Sequence, residues 1–245
     1  MSNPRLLLDA GNARLKWAVV DDQRWLAQGV AEYSDLTELA KWLEPVTHAC
    51  MASVARDADE KQLADMLASR NIVLQRLAAA PQFADVRNCY QDPARLGVDR
   101  WMALIAARER TQTAVLVVSA GTAMTVDALS AQGDFLGGLI VPGLRLMRQA
   151  LQQGTAGVGE VGAAALEPFP VSTATAVASG TLLALCGAIR LQHARLAARA
   201  GDVPACLITG GDAAALLPAL DLTAEFVPTL ILEGIERVTR EHDTS

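Results

Sequence analysis

The sequence predicts an α/β protein made of two related lobes, residues 1–112 and 113–245, and three observations carry that expectation. The first is an internal repeat. Residues 6–19 read LLLDAGNARLKWAV and residues 116–129 read LVVSAGTAMTVDAL, so Leu6, Ala10, Gly11, Ala13 and Ala18 recur as Leu116, Ala120, Gly121, Ala123 and Ala128 at one ungapped offset. The second is the pattern within each copy: an apolar run, an Ala-Gly turn and a second apolar run read as a β-hairpin. The third is the alternation of helical and extended periodicity along the rest of the chain. No low-complexity linker interrupts it, and the boundary falls near Thr111 to Thr113.

After the first hairpin, residues 35–43 open on an Asp suited to an N-cap and continue with helical spacing. Residues 48–54 and 71–77 read as short strands flanking an amphipathic helix over 58–70. An Ala-rich helix is expected over 100–109. Beyond the second hairpin, residues 143–153 and 175–200 read as helices, the latter long and with a kink placed near Gly187. Residues 205–209 form a strand that runs into Gly210-Gly211-Asp212 and an Ala/Leu helix.

Composition narrows the function classes. The 245 residues are 51% hydrophobic and 20% charged, which is globular and not disordered composition. A net charge of −6 with no Lys/Arg run argues against nucleic acid as a partner. The four cysteines, Cys50, Cys89, Cys186 and Cys206, form no CxxC pair, so neither a zinc site nor a disulfide framework is expected. The apolar run Leu6–Leu8 is too short for a signal peptide. Residues 168–189 carry no charged side chain, but two prolines, two glycines and several Ser/Thr favour a buried or partner-facing helix over a membrane span.

Four segments carry chemistry. In Asp9-Ala10-Gly11-Asn12, a carboxylate at a strand end beside a glycine turn suits a hydrated Mg²⁺, while turn amides meet phosphate oxygens and Lys16 adds positive charge. Glycine there permits positive φ and close approach of a ligand to the backbone. In the second copy, Gly121 and Thr122 offer an amide and a hydroxyl to phosphate, and Asp127 lies on the metal side. Two such hairpins facing each other would clamp a polyphosphate. The third segment, Tyr90 to Trp101, is a loop entering a helix at Asp99 and Arg100. There Asp99 could take a proton from a substrate hydroxyl and Arg100 could grip a substrate carboxylate. The fourth, Thr209 to Ala213, is a strand–glycine–helix turn suited to a flat ring such as adenine.

Taken together, these segments resemble the type III pantothenate kinase family of the actin, Hsp70 and sugar kinase superfamily. Residues 9–16 resemble its D-x-G-N-x-x-x-K loop. Leu96 to Arg100 matches L-G-x-D-R, and Gly137 to Gly143 matches G-G-x-I-x-P-G. Residues 119–127 correspond to D-x-G-T-A-x-T-x-D, and the 209–213 turn to a late T-G-G. The matches keep family order across positions 9 to 213. The resemblance implies two duplicated ribonuclease H-like lobes, each a mixed sheet flanked by helices. It assigns Asp9, Ala10, Gly11, Asn12, Ala13, Arg14, Leu15, Lys16 and Thr122 to ATP. Asp9 and Asp127 go to magnesium through water. Asp99 becomes the acceptor for the proton of the pantothenate hydroxyl, and Tyr90, Gly97, Val98, Arg100 and Thr173 line the pantothenate pocket.

The implied activity is ATP-dependent phosphorylation of pantothenate to 4′-phosphopantothenate, the first step of coenzyme A biosynthesis, by a cytoplasmic homodimer. One departure stands out: the family's Asp at the position of Ser119 ligates a monovalent cation, potassium or ammonium, and a serine hydroxyl brings no charge there. The family also holds proteins named Bvg accessory factors, so a non-catalytic ATP-binding regulator is the rival reading. A sugar kinase or phosphatase of the same superfamily is a third.

Overall fold

The computed structural model describes residues 4–242 apart from 23, 160 and 163–165. The chain divides into two compact units, residues 1–110 with 229–245, and residues 111–228.

In the first unit, β1 (Arg5–Ala10), β2 (Leu15–Asp21) and β3 (Arg24–Ala31) form an antiparallel meander. The chain passes through the short helix α1 (Thr37–Ala40) to β4 (His48–Ser53), which pairs parallel with β1. Helix α2 (Asp57–Ala68) then crosses over to β5 (Val73–Arg76), parallel to β4. The strand order is β3-β2-β1-β4-β5. Leu6, Leu8, Leu15, Trp17 and Val19 meet Leu39, Met51, Leu63 and Leu67 in a core with no more than 3% exposure at any of them. The expected helix at 35–43 shrinks to one turn: past Ala40 the amides of Trp42 and Leu43 bond three residues back, to Leu39 and Ala40, instead of four.

The alternate side chains Leu7, Ala18 and Val20 are buried as well, so the sheet is covered on both faces. That second cover comes from α3 (Val98–Arg110) and the last helix of the chain, α7 (Leu230–His242). A short hairpin of β6 (Gln82–Phe83) and β7 (Val86–Asn88) precedes α3. The division at 112/113 is therefore corrected at its far end: residues 229–245 join the first unit. Close helix packing is the reason. A Cβ at Gly234 would lie 2.0 Å from the Met102 carbonyl oxygen, so α7 presses its backbone onto α3. Arg110 also donates to both carboxylate oxygens of Glu233, at 2.8 and 3.0 Å.

The second unit repeats this plan. Strands β8 (Val115–Ala120), β9 (Ala123–Leu129) and β10 (Asp134–Pro142) form the meander. Helices α4 (Leu144–Gly154) and α5 (Thr173–Ala200) lead to β11 (Ala205–Thr209), parallel to β8. Helix α6 (Ala213–Leu216) then leads to β12 (Glu225–Phe226), parallel to β11. The order β10-β9-β8-β11-β12 is that of the first unit, strand for strand. The fold is a duplicated α/β architecture, each unit a mixed sheet flanked by helices, as expected.

By length and composition α5 could cross a membrane. Here Ala178, Leu185, Cys186, Ile189 and Leu196 form one helical face buried with β8 and β9, while Leu183 and Leu191 remain exposed. The helix continues through Gly187 and ends at Gly201, whose φ of 74° supplies the left-handed cap.

Candidate functional site

Each hairpin presents its turn at the end of its sheet, and the two turns differ in construction. In the first unit, Ala10 pairs with Leu15, leaving Gly11, Asn12, Ala13 and Arg14 as the loop, closed by a 3.2 Å bond from the Gly11 amide to the Arg14 carbonyl. Asn12, Ala13 and Arg14 form an exposed tip. The Tyr33 hydroxyl donates to the Gly11 carbonyl at 2.7 Å. Asp9, only 6% exposed, lies 3.8 Å from the Lys16 ammonium. Burial pushes the Asp9 carboxyl up to about 6; Lys16 pulls it down and the charge of Asp99 pushes it up further. Asp9, Lys16 and Asp99 are therefore one electrostatic group.

Asp99 sits in the first turn of α3 and folds back over Gly97, where a Cβ would stand 2.6 Å from its carboxylate. Burial raises its pKa, while the amides of Arg100 and of Asp99 itself, and the Arg100 charge, lower it. Arg100 is 5% exposed, donates to the Tyr90 hydroxyl at 2.8 Å and lies 5.6 Å from the Tyr90 ring centre. This loop has an organiser that sequence reasoning missed. Buried Asn88 donates to the carbonyls of Ala80 and Pro93 and accepts the Tyr90 amide, tying both ends of the loop together. Nothing in the local pattern marks Tyr33, whose partner lies 22 residues away, whereas Asn88 bonds within eight residues and its Asx turn to Tyr90 is a local signal that the motif reading passed over.

In the second unit the turn is held by backbone. The Gly143 amide donates to the Thr122 carbonyl at 2.9 Å, which sets the start of α4 directly behind the turn. A Cβ on Gly143 would lie 1.9 Å from the Gly121 carbonyl oxygen, and one on Gly210 2.1 Å from that of Ala120. The Asp212 amide reaches the Ala120 carbonyl at 3.1 Å, and its carboxylate accepts the Leu144 amide. The Gly137–Gly143 and Thr209–Ala213 segments thus converge on the turn carrying Thr122. Neither Gly11 nor Gly121 has positive φ, contrary to expectation. A Cβ at Gly121 would meet only the Ala123 carbonyl, at 3.9 Å, so no protein atom demands glycine there.

The ungapped repeat is corrected in its second half. Asp9 pairs with Lys16, but Ser119 pairs with Thr125, one residue earlier than the sequence offset requires. The second turn is one residue shorter, and in a strand one residue exchanges the faces. Thr125 therefore occupies the place of Lys16, and Asp127, 1% exposed, that of Ala18. Ser119 is flanked by Thr125 on β9 and Thr209 on β11. Thr173 begins α5 after its N-cap Ser172 and lines a cavity of about 710 Å³ with Met147, Val171 and Thr181. A second cavity, about 630 Å³, lies beside Asp212 and is lined by Arg145, Arg148, Gln149 and Ala215. Among the described residues there is no cluster of His, Cys, Asp and Glu that forms a metal cage.

Comparison with known proteins identifies the family. Residues 5–195 match the family model described as type III pantothenate kinase. The chain is 56% identical over 240 residues to a type III pantothenate kinase of Thiobacillus denitrificans, covering 98% of each chain. A solved structure from Campylobacter jejuni, described as a conserved Baf family transcriptional activator, aligns with TM-score 0.64 at 22% identity over 98% of this chain and 100% of that one. A 2-dehydro-3-deoxygalactonokinase-type protein of Sinorhizobium meliloti aligns with TM-score 0.56 at 16% identity, over 97% and 99%. Both structural likenesses show the fold alone. The full-length identity and the family match weigh against the regulatory reading, and the chain belongs to the type III pantothenate kinase family.

Proposed function

We infer that this protein transfers the γ-phosphoryl group of ATP to the 4′-hydroxyl of pantothenate, the first step toward coenzyme A, as a cytoplasmic enzyme. The observation that carries the mechanism is that one unit holds two acids in the matched motifs: buried Asp9, 3.8 Å from the Lys16 ammonium, and Asp99, folded over Gly97 at the start of α3. In this reading residues 9–16 and Thr122 bind the nucleotide phosphates. The start of α4 behind Thr122 supports anionic oxygens there. The missing side chain at Gly121 leaves room for phosphate against the backbone. The adenosine end belongs to the 209–213 turn and the cavity beside Asp212.

A buried carboxylate with a raised pKa and one ammonium at 3.8 Å fits a divalent cation, so Asp9 is assigned to magnesium through water. When bound, that ion would neutralise charge developing on the phosphoryl oxygens. Asp127 is assigned a metal-side role in the second unit, also through water. Ser119, between two uncharged threonines, is given no obligatory potassium or ammonium ion.

Asp99 orients the pantothenate hydroxyl and accepts its proton. Its burial strengthens it as a base, and its two amide bonds keep it aimed. Tyr90, Gly97, Val98 and Arg100 are assigned to pantothenate, with the Arg100 guanidinium available to its carboxylate; Thr173 is assigned to it in the second unit. The exposed apolar residues Phe169, Val171, Leu183 and Leu191 support a homodimer built on the α5 region. The direct test is purified protein with pantothenate and magnesium–ATP, followed by mass detection of 4′-phosphopantothenate. Complementation of a strain lacking pantothenate kinase tests it in cells. No product in either would overturn the reading.

A further inference from the structure

Tyr33 has no part in the reaction described above, yet its ring is buried to 9% exposure and its hydroxyl ends on a turn assigned to ATP. The turn that carries it is itself fixed. Glu32 and Asp35 form a β-bridge, and the Gln62 side chain of α2 donates to the Tyr33 carbonyl at 2.8 Å.

We propose that Tyr33 is a positioning residue for nucleotide binding, setting the orientation of the peptide between Gly11 and Asn12. The peptide unit is planar and trans, so its C=O and its N–H point in opposite directions. Holding the Gly11 carbonyl at 2.7 Å on the Tyr33 hydroxyl therefore directs the Asn12 amide the other way, toward the exposed tip of the loop. The same bond turns a carbonyl oxygen, which would repel phosphate, away from that tip. Burial, with Asp59, Asp9 and Glu60 nearby, holds the phenol pKa far above its usual value, so the hydroxyl stays a neutral donor. In the second turn, backbone amides of Gly143 and Asp212 bond the carbonyls of Thr122 and Ala120.

The inference rests on the assignment of residues 9–16 to ATP, and the test separates the two. Tyr33→Phe keeps the ring and its packing. Its expected effect is a rise in KM for ATP of about 5- to 30-fold, the scale of one buried hydrogen bond, with KM for pantothenate and the melting temperature near wild type. The rise in melting temperature that magnesium–ATP produces should shrink in parallel. Unchanged ATP KM and unchanged nucleotide-induced stabilisation would overturn the role of Tyr33 alone. Equal losses for both substrates with a lower melting temperature would also overturn it, by showing a merely structural part. A wild-type protein that is stabilised by magnesium–ATP but makes no phosphopantothenate would sink the substrate assignment. In that case, loss of the stabilisation in Tyr33→Phe would still uphold the proposal.

Discussion

The hairpin of β1 and β2 and the hairpin of β8 and β9 share a small-residue signature but carry different charge. In the first, Asp9 and Lys16 face each other across the ladder, both partly or wholly removed from water. In the second, the same two places hold Ser119 and Thr125. One copy sets an Asp–Lys pair across its ladder and bonds its turn to a side chain, Tyr33. The other has uncharged residues at those two places, carries its acid further along β9 at Asp127, and is locked by glycines that let backbone touch backbone. The strand plan is shared, and the residues at matched positions differ in charge.

Removing the acid of the charged unit should have the largest effect. Asp99→Asn is expected to lower kcat by about 10²- to 10⁴-fold, the usual scale for a positioned general base, while ATP binding stays nearly intact. Unchanged turnover would remove Asp99 from the mechanism. Asp9 tests the cost of that charge. Its carboxyl rises from 3.8 to about 6 on folding, so between those values the native state binds more protons, and stability falls as pH rises through the window. Two units correspond to about 3 kcal/mol. Asp9→Asn should thus melt higher than wild type at pH 7 without nucleotide, match it near pH 4, and lose magnesium–ATP use. An equal difference at both pH values would refute the buried-charge account.

The backbone lock of the second hairpin gives the next contrast. Gly143→Ala drives a Cβ to 1.9 Å from a backbone oxygen and should cost about 1–3 kcal/mol, with a raised KM for ATP. Gly11→Ala meets only the Arg14 carbonyl, at 3.2 Å, and should cost less than about 1 kcal/mol in the nucleotide-free protein. Reversal of that order in thermal melts would break the comparison. The smallest effect is expected at Thr125, whose buried hydroxyl has no hydrogen-bond partner among the described residues. Thr125→Val should stabilise the second unit by about 1 kcal/mol and leave kcat near wild type.

Much of the fold was legible because hairpins and crossover helices write themselves as local periodicity. Strands β4, β5 and β11, helices α2, α3, α4 and α5, and both hairpins lie within a few residues of their expected places. Most of what escaped was non-local. Helix α7 was counted with the second lobe, although Gly234 and Glu233 bind it to α3, some 120 residues earlier in sequence. The shorter second turn also escaped, because the matching Ala-Gly turns align by identity whereas the strand register depends on turn length. Residues 9–16, Asp99 and Arg100 were legible as motifs, but their organisers Tyr33 and Asn88 were missed.

The sequence alone determined the duplicated α/β plan, the family and the short segments that carry the chemistry, since each is encoded in neighbouring residues. Tertiary structure decided which of those groups act together: Asp9 with Asp99, Tyr33 with Gly11, and Gly143 and Gly210 with the second turn. Charge coupling, a single hydrogen bond and a backbone approach too close to admit a Cβ are set by distances in space. No order of residues along a chain specifies those distances until the sheets have paired.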